Sequence, residues 1–127
     1  RIYIHDNLII LMKYIESEKR PWGEYFVIHD EQNYKIKRIE ENAGQRLSYQ
    51  FHKYRAEAWT IIEGEALITL NNKVIKASMG ETVIIPLGSK HRIENISDKK
   101  IVFIEVQTGS YFGEDDIIRI EDDYNRI

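Results

Sequence analysis

Cysteine is absent from the 127 residues, so the chain has neither a disulfide framework nor a thiolate metal site, and a small secreted, cross-linked scaffold is excluded. Any metal must sit on nitrogen and oxygen donors. Long apolar runs are missing as well. The run Leu8 to Met12 is far short of the ~20 residues a spanning helix needs, and no small-residue cleavage site follows it. Neither a membrane span nor a signal peptide is expected. Positive charge is not in excess: 18 basic residues stand against 21 acidic ones, a formal net charge of −3, which gives no electrostatic case for binding nucleic acid. Hydrophobic residues at 43% and charged ones at 31% exclude a disordered or fibrous chain. Folding at this length removes about two thirds of the unfolded surface from water, enough for one core. The expectation is one compact, cytoplasmic domain.

From Gly23 onward, short β-rich stretches alternate with turn residues. Strands are expected at Glu24 to Ile28, Tyr34 to Ile39, Leu47 to Phe51, Ala58 to Ile62, Ala66 to Leu70, Lys73 to Ala77, Thr82 to Ile85, Arg92 to Asn95 and Ile101 to Val106. Glu63-Gly64 and Asn71-Asn72 mark tight turns between them. This rhythm is that of an all-β sandwich or barrel in a single domain over residues 19–127, with 1–18 as an extension or an extra strand. The acidic tail from Glu114 to Tyr124 breaks it, reading as a short helix, an arm over the barrel mouth or a solvated face.

One constellation carries chemistry. Gln50 and His52 share a strand face by period two. A turn near Tyr54 and Arg55 brings Glu57 into the neighbouring strand beside them, so three nitrogen or oxygen donors converge. Pro86 and Gly88 shape a second turn that delivers a fourth donor, His91. Gly44, Gly64, Gly80 and Gly88 read as turn glycines, Trp22 and Trp59 as core or interface aromatics, and His5 and His29 as solvent-facing.

These spacings match the two cupin motifs, G-x5-H-x-H-x4-E-x6-G and G-x5-P-x-G-x2-H-x3-N, with Gln50 in the first histidine position. Arg20-Pro-Trp-Gly23, the run Gln50 to Trp59 and the run Glu105 to Asp116 make the chain resemble the type II mannose-6-phosphate isomerase family over about Lys19 to Arg126. Relatives commonly carry His where this chain has Ala58, and often His at Lys53 and Tyr54. The resemblance implies a jelly-roll-like cupin barrel and one divalent metal on Gln50, His52, Glu57 and His91. That donor set suits zinc, with cobalt, nickel or manganese as alternatives. It also implies interconversion of mannose 6-phosphate and fructose 6-phosphate with Arg55 as the catalytic residue, and Arg46, Lys90 and Arg92 flank the ligands as candidate phosphate binders.

In that family the domain often follows a mannose-1-phosphate guanylyltransferase, an activity not expected of this chain. The competing reading is a non-catalytic metal-binding cupin that holds a sugar phosphate or sugar nucleotide for a separate guanylyltransferase. Oxygenase chemistry, which favours iron with open positions, is disfavoured by Gln50. Exposed strand edges point to a homodimer.

Overall fold

The computed structural model describes residues 14–127 and, by backbone alone, an antiparallel hairpin of β1 (Ile2–His5) and β2 (Leu8–Leu11). The side chains of His5 and of the apolar run Leu8 to Met12 fall outside the described residues. Among the described residues no helix is long and apolar enough to cross a membrane.

Eleven further strands follow: β3 (Glu16–Arg20), β4 (Gly23–Asp30), β5 (Tyr34–Glu41), β6 (Tyr49–Phe51), β7 (Arg55–Glu63), β8 (Glu65–Leu70), β9 (Lys73–Ser78), β10 (Thr82–Ile85), β11 (His91–Asn95), β12 (Ile101–Gly109) and β13 (Ile118–Glu121). They form two antiparallel sheets, a six-stranded one ordered β10-β7-β12-β5-β4-β3 and a five-stranded one ordered β13-β6-β11-β8-β9. The fold is all-β, as the turn rhythm predicts. Residue 18, where the extension was expected to end, lies within β3, which pairs with β4 along its whole length. The tail holds a 3-10 turn, Glu114–Asp116, and then β13, which pairs with β6.

Alternation along the strands decides what goes inside. On β7, Arg55, Glu57, Trp59 and Ile61 are buried, while Ala56, Ala58 and Thr60 between them are only half-buried. Trp59, Ile61 and Phe103 of one sheet meet Ile68, Ala66 and Ile93 of the other in one core. Each large apolar side chain so buried contributes about 1.5–3 kcal/mol. Toward one end of the interior the inward positions turn polar: Arg55 and Glu57 on β7, Glu105 and Gln107 on β12, Lys37 on β5 and His91 on β11 are all buried.

The expected two-residue turn between β8 and β9 is present. Asn71 and Asn72 adopt φ of 47° and 68°, the left-handed pair that a tight hairpin demands. Its tip is fastened down. The Asn71 amide donates to the Lys90 carbonyl at 2.8 Å, the Lys90 amide donates to Asn71 Oδ1 at 2.9 Å, and the Tyr49 hydroxyl donates to Asn72 Oδ1 at 3.0 Å. Gln50 and His91, each one residue along from these contacts, are register partners on β6 and β11.

Candidate metal centre

Three of the four expected ligands meet inside the barrel. His52 Nε2 lies 3.1 Å from His91 Nε2 and 3.2 Å from Glu57 Oε2, and His91 Nε2 lies 3.7 Å from Glu57 Oε1. All three side chains are at most 2% exposed. Gln50 is buried and is the cross-strand neighbour of His91, so the two side chains share a face; its Oε1 accepts from the Ser48 hydroxyl at 3.1 Å.

The route by which they meet differs from the one expected. Glu57 is not on a strand neighbouring Gln50: β6 belongs to the five-stranded sheet and β7 to the six-stranded one. The short turn after His52 carries the chain between sheets, so the ligands face one another across the interior. The turn Pro86 to Ser89 delivers His91 as expected. The Ser89 amide donates to the Pro86 carbonyl and the Gly88 amide to the His52 carbonyl, both at 3.1 Å, and Gly88 takes φ 78°, a conformation cheap only for glycine.

The donor chemistry fits a cation. His52 Nδ1 sits 2.8 Å from the Asp116 carbonyl oxygen and His91 Nδ1 2.8 Å from the Ser89 carbonyl oxygen. Each outer nitrogen must therefore carry the proton, which leaves both Nε2 lone pairs aimed inward at each other. Two imidazole lone pairs and a carboxylate at this spacing repel unless a positive ion lies between them. Ligands about 2.0–2.1 Å from a tetrahedral ion stand roughly 3.3 Å apart, close to the separations here. Burial and the charges of His52 and Arg55 hold the His91 imidazole below its ordinary range, against the pull of Glu57. Burial works to raise the Glu57 carboxyl, yet its neighbours His52, His91 and Arg55 hold it well below the ordinary range. The surroundings thus favour a neutral His91 and an ionised Glu57, the forms that ligate metals.

Arg55 is buried beside it. Its Nε donates to Glu57 Oε2 at 2.9 Å and one terminal nitrogen lies 3.5 Å from His52 Nε2. Burial disfavours its charge, but Glu57, Glu105 and Glu114 more than offset this. Gly109 allows the approach of its strand: a Cβ there would stand 2.1 Å from the Tyr54 carbonyl oxygen.

Several contributors were not legible beforehand. Asp116 is buried, and its two carboxylate oxygens accept from the Lys53 and Tyr54 amides at 3.0 Å each while its carbonyl orients His52. The tail is thus an arm over the site at this point, not a solvated face. Trp59, expected in the core, also donates through Nε1 to Glu57 Oε1 at 3.1 Å and Glu105 Oε1 at 3.0 Å. Burial and the neighbouring Glu57 raise Glu105 to about 8, so it is mostly a neutral acid at pH 7. The signal for Asp116 lay in the run Tyr111 to Asp116; for Glu105 and Glu114 only membership of that longer run pointed to the site.

Beside the cluster opens a cleft of about 440 Å³, counting its mouth, lined by Gln50, Ser48, Arg55, Glu105 and Glu114 and by the cations Arg20, Lys37, Arg119 and Arg126. The expected phosphate binders do not line it. Arg46 donates to Asp123 through Nε and one terminal nitrogen at 2.7 and 2.8 Å, Arg92 donates to the Leu47 carbonyl at 2.9 Å and to Glu121 at 3.2 Å, and Lys90 is exposed. Ala58 lies on the face of β7 opposite Glu57, and Lys53 and Tyr54 are exposed, so these departures from the resembled pattern fall outside the ligand cluster.

The family described as Mannose-6-phosphate isomerase C-terminal matches residues 11–122. The chain belongs to that family. Among its curated relatives is Mannose-1-phosphate guanylyltransferase ManC of Salmonella typhimurium, 43% identical over 108 residues, 85% of this chain and 22% of that protein. Xanthan biosynthesis protein XanB of Xanthomonas campestris is 44% identical over 107 residues, 84% of this chain and 23% of that one. The chain thus spans less than a quarter of the length of these relatives. In fold it is similar to the cupin domain of Schizosaccharomyces pombe Cnp3, with a TM-score of 0.66 at 17% identity over 68% of this chain and 64% of that one. The fold of this chain is thus that of a cupin barrel, and among its described residues a buried His-Glu-His cluster could hold a metal ion.

Proposed function

We propose that this domain is a metal-dependent isomerase interconverting mannose 6-phosphate and fructose 6-phosphate. The observation that carries the reading is the juxtaposition, in a chain of this family, of a buried two-imidazole, one-carboxylate cluster with a cleft rich in cations. Gln50, His52, Glu57 and His91 would hold the ion, zinc by the balance of nitrogen and oxygen donors. It would supply Lewis acidity toward the carbonyl and hydroxyl oxygens of the sugar.

The remaining chemistry falls to the chain's own residues. Moving a proton between two adjacent sugar carbons requires a base near them. Glu114 lines the cleft outside the ligand set, and although burial opposes its charge, Lys37, Arg55 and Arg20 hold its carboxyl below the ordinary range. On this reading it is the ionised carboxylate that takes that proton. Glu105, mostly neutral at pH 7, offers a hydrogen bond to sugar oxygens. Arg55 fixes Glu57 and, 3.9 Å from Glu114, steadies the charge that shuttles there.

The test is a coupled assay of fructose 6-phosphate formation from mannose 6-phosphate by metal-reconstituted protein, beside a His52→Ala control. Turnover abolished in the control is the expected result. Silence in the wild type with metal bound would favour the binding-module reading, in which the domain presents a sugar phosphate to a separate guanylyltransferase. The edge strands β9 and β10 expose Val74, Ile75 and Ile84, which supports a homodimer; a monomeric mass in solution would refute it.

A further inference from the structure

Five cations line the cleft, and four of them are already matched. Glu114 sits 3.5 Å from Arg20, 3.4 Å from Lys37 and 3.9 Å from Arg55. Glu57 holds Arg55, and Asp122 takes Arg126 in a two-pronged pair at 2.8 Å each. Arg119 differs. It makes no ion pair among the described residues, and its Nε is buried without a hydrogen-bond partner. An unmatched buried donor on a permanently charged group is costly in an empty site and useful in a filled one.

Register shows what would fill it. Arg119 on β13 pairs with Gln50 on β6, and Gln50 pairs with His91 on β11. One cross-strand row of residues thus runs from Arg119 through Gln50 to His91, a ligand of the candidate metal centre, its backbone spanning two strand spacings or roughly 10 Å. A molecule lying along this row meets a cation at one end and the His-Glu-His cluster at the other. That polarity matches an open-chain sugar with its reacting carbons at one end and a phosphate monoester at the other.

We infer that Arg119 is the anion-recognising residue of the cleft, binding the terminal phosphate of a sugar phosphate whose other end reaches the His52, Glu57 and His91 cluster. Burial and the like charges of Arg126 and Arg20 disfavour charge on Arg119, against the pull of Asp122 and Glu114, so an incoming dianion relieves a repulsion already present. The planar fork of Arg suits a phosphate better than a Lys point charge does. The sugar-phosphate part of this inference rests on the isomerase reading; the anion site does not.

The experiment compares wild type, R119Q and R119K, all metal-reconstituted and checked for equal metal content. Calorimetric titrations use mannose 6-phosphate, inorganic phosphate and unphosphorylated mannose, and the coupled assay runs in parallel. R119Q should weaken mannose 6-phosphate binding about 10- to 100-fold, the range for losing charge-assisted hydrogen bonds. Affinity for inorganic phosphate should fall with it, that for mannose should not, and KM should rise with kcat nearly unchanged. R119K should lie between. Unchanged phosphate affinity in R119Q overturns the proposal, even if turnover is normal and the isomerase reading stands. Lost phosphate affinity in a protein that never turns over keeps the anion site and removes the isomerase reading. Should R119Q fail to fold, the Arg119 Nε–H resonance of the wild type, assigned against R119K, must move on titration with inorganic phosphate; a resonance that stays fixed refutes the site.

Discussion

Glu57 and Glu41 are both fully buried carboxyls inside the same barrel, and they meet opposite fates. Glu57 pairs in register with Gln107 and Glu41 with Ile101 on the shared strand β12, which puts them about 20 Å apart along it. Around Glu57 stand two imidazoles and a guanidinium, which keep it ionised despite burial. Around Glu41 no cation answers: neither carboxyl oxygen has a hydrogen-bond partner, and burial, reinforced by Glu94 and only partly offset by the nearby Asn95 backbone, holds its proton on well above the ordinary range. The lesson is that burial alone neutralises a carboxyl, and a charge survives in a core only where cations have been assembled for it. One end of this barrel is organised around charge; the other carries a polar group that costs stability.

The sharpest way to break the contrast is Glu57→Leu, which leaves Arg55 buried without its principal counter-charge. A loss of roughly 3–5 kcal/mol in urea unfolding is expected, together with loss of metal binding. A small change would mean that the cluster is not electrostatically coupled. Next comes Glu114→Gln, expected to lower kcat by about 100-fold or more, the range for removing a general base, while metal content stays unchanged. Full turnover in this variant would move the base elsewhere.

Glu41→Val should act in the opposite sense, raising stability by about 1–3 kcal/mol through removal of an unsatisfied buried group. The pH dependence gives a second check. Because the folded-state pKa of Glu41 is raised, its folded form holds a proton that the unfolded chain releases, so wild-type stability declines as pH climbs above about 4.5. The gain on substitution should be larger at pH 8 than at pH 5, and equal gains at both would contradict a neutral Glu41. The smallest effect is expected in the tail. Hydrogen bonds from Arg126, opposed by burial, depress Asp122 to about 2, so its contribution is complete above about pH 4 and is lost as pH falls toward 2. Asp122→Asn should cost about 1–2 kcal/mol at pH 7, with the cost shrinking as pH falls through 2, as read by thermal unfolding.

Much of this was legible in the residues because it is local. Short β-rich stretches between turn residues located every strand from β4 to β12, and the spacings of His52, Glu57 and His91 pointed to the three side chains that meet in the cluster. What escaped was assembled from afar. Asp116 reaches His52 across 64 positions, and the cleft draws Arg20, Lys37, Arg119 and Arg126 from β3, β5, β13 and the tail. No spacing rule connects such residues. Arg46 and Arg92 looked suitable because they flank the ligands in sequence, but Asp123 and Glu121 of the tail claim them. Glu41 lies just past the expected strand Tyr34 to Ile39, and the alternation that buries Lys37 and Ile39 continues through it and points it inward.

The Asn71-Asn72 turn bears on how this domain can be altered. An exposed two-residue hairpin tip is ordinarily where a tag, a label or a new terminus is tolerated. Here the tip is bolted on one side to the backbone next to His91 and on the other to the hydroxyl next to Gln50. Lengthening it would unfasten both supports together, so a loop remote from the chemistry in sequence is among the poorest places to open the chain.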